Sequence, residues 1–169
     1  AGLDPGLLRR VCGELLWGGI PLRDPVSVVE AVVEALPEVS DSEELALRAR
    51  PRLAGMISDH LATDGRIGAV VPSPALQEEL ADAAYREDAR TVAAMMPARS
   101  AAWVSLLDQV GAEHGWGRPL AAIAEPRSLL ALQSLCRRAT SQFVAVRAVD
   151  LTPNVELEYV ARLEPAQLT

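Results

Sequence analysis

Few residues in this sequence have the types and spacing to do chemistry. Ser58-Asp59-His60 brings together the three side chains of a nucleophilic triad. The surrounding residues are helix formers, and consecutive helical residues point in different directions, so no hydrogen-bonded relay can form there. His60 and His114 are far apart, and neither Cys12 nor Cys136 belongs to a C-x-x-C pair, so no metal ligand set is expected. Both histidines read as surface or helix-end residues. The cysteines read as buried free thiols, with a disulfide as the alternative. The chain has no lysine, which removes the phosphate contact of a P-loop, and no G-x-G-x-x-G follows an expected strand. The carboxylate pairs Glu30 with Glu34 and Glu78 with Asp82 stand opposite the apolar side of their helices and read as solvated. No catalytic, cofactor-binding or metal-binding residue is expected. Gly115-Trp116-Gly117 places a tryptophan in a turn, as a packed anchor or as a partner contact.

The elements that would position these residues start legibly. Asp4-Pro5 and Asp24-Pro25 each put an N-cap before a proline at the first helical position. In the first helix Leu7, Leu8, Val11, Leu15 and Leu16 recur at helical spacing, and Gly18-Gly19 ends it. In the second, Val26, Val29, Val33 and Leu36 form the expected inward stripe, with Glu30 and Glu34 opposite. Ser40 or Asp41 caps a third helix running to about residue 61, with Leu47, Leu53, Ile57 and Leu61 as core residues. Pro51 should kink or split it. After Asp64-Gly65 the period changes. Residues 67–71, 120–124, 143–149 and 155–163 read as strands, and residues 91–95 as a weaker one. Helices are expected from Ser73-Pro74, over residues 97–114, and from Glu125-Pro126 to about residue 139.

The expected fold class is α+β. An all-helical subdomain, residues 1–65, precedes a small α/β subdomain, residues 66–169, with a sheet of about four strands. The 169 residues are half hydrophobic, too apolar for a disordered chain. The formal net charge of −7 argues against nucleic acid as a partner. No apolar run reaches the roughly 18–20 residues of a membrane span, so this stretch should make no membrane contact. The sequence lacks an initiator methionine and a signal peptide, and it reads as cut from a longer chain exposed to a reducing compartment.

One stretch carries a specific resemblance. Ile20-Pro21-Leu22-Arg23-Asp24, followed by a helix of about a dozen residues, resembles the V-P-I-R-D segment of the FlhA/SctV family (also LcrD or FHIPEP), the export-gate proteins of flagella and type III injectisomes. Residues 53–57 stand where the family has L-R-R-Q-I. Asp64-Gly65-Arg66-Ile67, Val70-Val71 and Ser73-Pro74-Ala75-Leu76 are similar to the run D-G-R-L-P-V-L-T-L-D-P-E-L. Beyond residue 80 the likeness is mainly of strand and helix order. Pro25, Pro51 and the pair Ala54-Gly55 depart from the family pattern.

The resemblance implies the third and fourth subdomains of a four-part cytoplasmic domain, whose membrane domain lies upstream. It implies a non-enzymatic role at the cytoplasmic face of the bacterial inner membrane. Such domains form a nonameric ring, mainly through the third subdomain. The fourth faces the stalk and ATPase complex. Exported proteins with their chaperones dock chiefly on the first two subdomains, which are not in this sequence. No cofactor is implied. The interface candidates are Ile20, Pro21, Arg23, Asp24 and Trp116. Arg23 suits a carboxylate across an interface or within its own subdomain; Asp24 suits an N-cap or a partner contact. The rival readings are a free-standing interaction adaptor on this fold and, further off, a small α/β enzyme.

Overall fold

Three aspartates set the helical half. Asp4, Asp24 and Asp41 accept hydrogen bonds from the backbone N–H groups of Gly6, Ser27 and Glu44, at 3.1, 3.2 and 3.1 Å. They begin α1 (Pro5–Trp17), α2 (Pro25–Ala35) and α3 (Ser42–Ala49). The computed structural model describes residues 3–37 and 39–169. It divides into two compact units. One runs to His60 and takes in Val149–Pro153; the other is Leu61–Ala148 with Asn154–Thr169.

In the helical unit, α1 and α2 pack on α3 around Val11, Leu15, Ile20, Val28, Val32 and Leu45. Pro51 has no N–H to offer, and the expected long third helix breaks there. A 3-10 turn, Arg50–Leu53, separates α3 from α4 (Ala54–Leu61). The returning segment Val149–Pro153 is tied to this turn. Arg50 and Asp150, 2% and 0% exposed, pair at 3.7 Å, and Thr152 N–H donates to Ser58 Oγ at 2.9 Å.

The second unit is built on a sheet. β2 (Arg66–Pro72), β5 (Leu120–Ile123), β6 (Phe143–Val146) and β7 (Glu156–Leu163) run parallel in the order β7-β2-β5-β6. The two-residue β1 (Ala62–Thr63) turns back on β2 through Asp64-Gly65. α5 (Pro74–Ala83), α6 (Pro97–His114) and α7 (Leu129–Arg138) supply Leu76, Leu80, Trp103, Leu107 and Leu132 to its core. A separate antiparallel hairpin, β3 (Ala84–Glu87) with β4 (Arg90–Ala93), rests on α7, where Ala93 N–H donates to Ser134 Oγ at 2.9 Å. The α+β class and the sheet of about four strands are therefore as expected.

Several details differ from the sequence reading. α2 buries Val28, Ala31 and Val32 and exposes Val26, Val29 and Val33, so the inward stripe lies on the face opposite to the expected one. Valine occupies both sides of this helix, and periodicity alone cannot choose between them. α7 begins at Leu129 and not at Pro126, because residues 126–128 form a turn that Ser128 closes on Glu125 O at 3.1 Å. β6 stops at Val146, before a 3-10 turn over Ala148–Asp150. The strand expected at 91–95 is the inner half of a hairpin whose other half, β3, has every residue exposed and so gives no burial pattern. β7 carries a bulge: Ala69 pairs with Tyr159 and Val70 with Ala161, so alternation slips and Tyr159 faces solvent.

Candidate functional site

The segment between α1 and α2 is shaped by Gly19, whose φ of 81° turns the chain out of α1. Ile20 N–H then bonds to Leu15 O at 3.0 Å, and the Ile20 side chain is buried in the helical core. Pro21 and Leu22 are half-buried, and Arg23 and Asp24 are exposed. Asp24 is fully used as a cap: Ser27 N–H donates to Oδ1 and Ser27 Oγ donates to Oδ2 at 2.6 Å. The Ser27 hydroxyl, then its N–H, hold the Asp24 carboxyl below the ordinary range. Arg23 has no carboxylate partner among the described residues. Its charge is felt at His60, whose pKa is lowered by burial first and by Arg23 second. Of the five interface candidates, then, Ile20 sits in the core, Asp24 builds a helix end, and Arg23 is a surface cation.

Next to Arg23 in sequence stands a surface the periodicity did not assign. Val26, Val29 and Val33 are 66%, 37% and 48% exposed. Their spacing of three and four residues makes them one continuous stripe on the outer side of α2. Leu16 of α1 is also exposed. Apolar residues this regular on a solvent face call for an explanation, where scattered ones would need none. The signal available in sequence was the count of valines, too many for one face of an eleven-residue helix.

Trp116, the fifth candidate, is 86% exposed with φ 50°. It caps a turn between α6 and β5 in which Gly117 has φ 81° and Arg118 N–H returns to Gly115 O at 3.1 Å. Beside the turn lies a cleft of about 220 Å³, lined by Gly111, Gly115, Gly117, Arg118, Leu120 and residues 140–142. Asp108 fixes its far wall: Oδ1 accepts from Thr140 N–H, Thr140 Oγ1 and Ser141 N–H at 2.7, 2.9 and 3.1 Å. Burial would raise the Asp108 pKa, but the bonds from Ser141 and Thr140 outweigh it and lower it. The structure does not gather the five candidates into one place: four belong to the helical unit and Trp116 to the other.

The remaining chemistry is structural. Ser58 accepts the bond from Thr152, Asp59 is exposed, and His60 is half-buried. Both cysteines are free; burial raises the Cys12 thiol and pushes Cys136 up to about 12. Among the described residues no group of three or more His, Cys, Asp or Glu could hold a metal, and no helix is long and apolar enough to cross a membrane.

A sequence model described as the FHIPEP family matches residues 2–156. No curated protein matches the chain in sequence. Among solved structures, the Shigella flexneri MxiA protein is 14% identical with a TM-score of 0.75, over 95% of this chain and 52% of MxiA. Nonameric EPEC SctV-C is 13% identical with a TM-score of 0.75, over 93% of this chain and 50% of the other. Chlamydia pneumoniae CdsV, in a complex with CdsO, is 15% identical with a TM-score of 0.76, over 96% and 48%. The chain thus spans about half the length of the structures whose fold it shares.

Proposed function

Because the chain belongs to the FHIPEP family, we propose that it is the C-terminal cytoplasmic part of a bacterial type III export gate, working without catalysis through protein contacts. In this reading residues 1–65 form the ring-building subdomain at the cytoplasmic face of the inner membrane. Residues 66–169 form the subdomain turned toward the stalk and the ATPase complex. Two relatives support the choice of partners: SctV-C is nonameric, and CdsV is solved with CdsO.

The observation that carries the ring reading is the outer stripe of α2. Val26, Val29 and Val33 lie outside the buried core of their own unit and just after the exposed Arg23. A second copy that buries them gains apolar burial at roughly 25 cal/mol per Å². Arg23 would then add a directional pair to a carboxylate on the neighbour. The test is sedimentation of the protein's complete cytoplasmic region with Val29→Asp and Val33→Asp together. The expected result is loss of the ring with unfolding nearly unchanged, and a smaller loss for Arg23→Ala. Assembly equal to wild type in the double variant would overturn the reading.

A further inference from the structure

Arg118 is the arginine whose position asks for a partner. Three other arginines of the α/β unit are paired at 2.7–3.3 Å: Arg66 with Glu156, Arg99 with Glu79, Arg162 with Glu164. Arg127 and Arg138, without a pair among the described residues, are exposed, whereas Arg118 is half-buried. Arg118 has no carboxylate and no side-chain hydrogen bond among the described residues. Its guanidinium has a defined neighbour in the strand. It lies over Gly68 of β2, where an added Cβ would come within 2.9 Å of Nη2 and 2.7 Å of Leu120 Cδ2. A glycine in the middle of a buried strand leaves room for this cation, against its own entropic disadvantage. The half-buried Arg118 lines the 220 Å³ cleft together with the Gln142 amide, which is also uncommitted.

Between two lining residues of the same cleft, Gly115 and Gly117, stands Trp116. A tryptophan in the left-handed region is unusual for a bulky side chain, and here nearly the whole indole is left in water. The two glycines flanking it both line the cleft, so Trp116 stands beside the cleft in the chain.

We propose that this cleft docks an acidic segment of a partner protein, with a Glu or Asp carboxylate on Arg118 and Gln142 and the adjoining apolar side chain covered by Trp116. The cleft is sized for a side chain, below the volumes that hold whole cofactors. One arginine balances one carboxylate. The chain's net charge of −7 disfavours polyanions such as nucleic acid. The indole surface is of no use to a bare small anion but suits a peptide, and exposed aromatic with arginine is the composition of an interface hot spot. Asp108 does not line the cleft, and three hydrogen bonds occupy its Oδ1. This site lies in the α/β unit and does not depend on the ring reading.

The test is NMR titration of the full chain, following the Trp116 indole N–H and the Arg118 Nε–H. The probes are acetyl-Gly-Glu-Leu-amide, the same peptide with Gln for Glu, and acetate. The Glu peptide should move both signals saturably, the Gln peptide should bind about tenfold more weakly, and acetate should bind more weakly still. Arg118→Gln should abolish the response, Trp116→Ser should weaken it, and Gly68→Ala, by displacing the guanidinium, should weaken it with all three probe-contacting residues intact. Three results would each overturn the proposal: no response up to about 10 mM peptide, equal binding of the Glu and Gln peptides, or undiminished binding by Arg118→Gln. Acetate binding as tightly as the Glu peptide would show a small-anion site and overturn the peptide assignment.

Discussion

Helices α2 and α7 are nearly the same length, eleven and ten residues, and both are rich in apolar side chains. α7 uses them within the fold: Leu129, Ala131, Leu132, Leu135 and Cys136 are buried in a helix packed against both the sheet and the β3–β4 hairpin, and Arg137 and Arg138 are exposed. α2 is apolar on two sides, one buried through Val28, Ala31 and Val32, the other open through Val26, Val29 and Val33. The fold of this chain accounts for all of α7 and for only half of α2. In the proposed ring the surplus half is what a second copy would cover, and it lies on the helix that follows the Ile20–Asp24 segment.

The sharpest way to probe that contrast is to remove groups the fold does need. Asp150 with Arg50 is the strongest case, since both are almost inaccessible. Asp150→Ala leaves a buried guanidinium without its counterion and should lower unfolding free energy by about 3–5 kcal/mol in denaturant titration. Arg50→Met with Asp150→Leu should recover much of that loss, because neither charge is then stranded. A single variant as stable as wild type would mean that the segment Val149–Pro153 is not anchored by this pair. Next comes Leu132→Ala on α7, fully buried, expected at about 2–5 kcal/mol by the same measurement.

A smaller effect is expected at Glu79, which receives Arg99 Nε and Nη2 at 2.9 and 2.7 Å and Trp103 Nε1 at 3.2 Å. The Arg99 hydrogen bond is the largest reason that the Glu79 pKa is lowered. A carboxyl depressed on folding stabilises fully above its unfolded pKa, about 4.3, and loses that contribution as pH falls through the lower folded value. Glu79→Gln should therefore cost about 1–2 kcal/mol at neutral pH and flatten the acid limb of the stability curve below about pH 4.3. An unchanged acid limb would assign the loss to other carboxylates.

How much of this was legible in the sequence follows from the same physics. Proline after aspartate located α1 and α2 to the residue, because the cap and the fixed φ act within four residues of each other. Buried parallel strands such as β2 and β5 announce themselves as apolar runs. β3 does not, because no residue of it is buried, and its pairing with β4 is a tertiary fact. The Ile20–Asp24 segment was found as a pattern, but the pattern could not say that Ile20 is core, that Asp24 is a cap, or that the exposed apolar stripe begins just beyond it. Arg118 gives no signal in the sequence, because an arginine without a partner looks like any other there. Its singularity depends on Gly68, fifty residues away, and on where the carboxylates are not.

The smallest expected effect on folding is the one that bears most on α2. Val32 and Val33 are neighbours of identical chemistry, 0% and 48% exposed. Val32→Ala removes two methyl groups from a packed core and should cost about 2 kcal/mol. Val33→Ala removes the same atoms from water, and alanine's higher helix propensity offsets what little contact is lost, so the change should stay within about 0.5 kcal/mol. Denaturant unfolding of the two variants side by side decides which face of α2 the fold uses. If Val33→Ala proved the costlier, the inward stripe read from periodicity, Val26-Val29-Val33-Leu36, would be the real one, and the surface assigned to a second copy would vanish with it. If Val32→Ala proves the costlier, the outer valines remain without a role in the monomer, and the reason for their presence has to be sought between molecules.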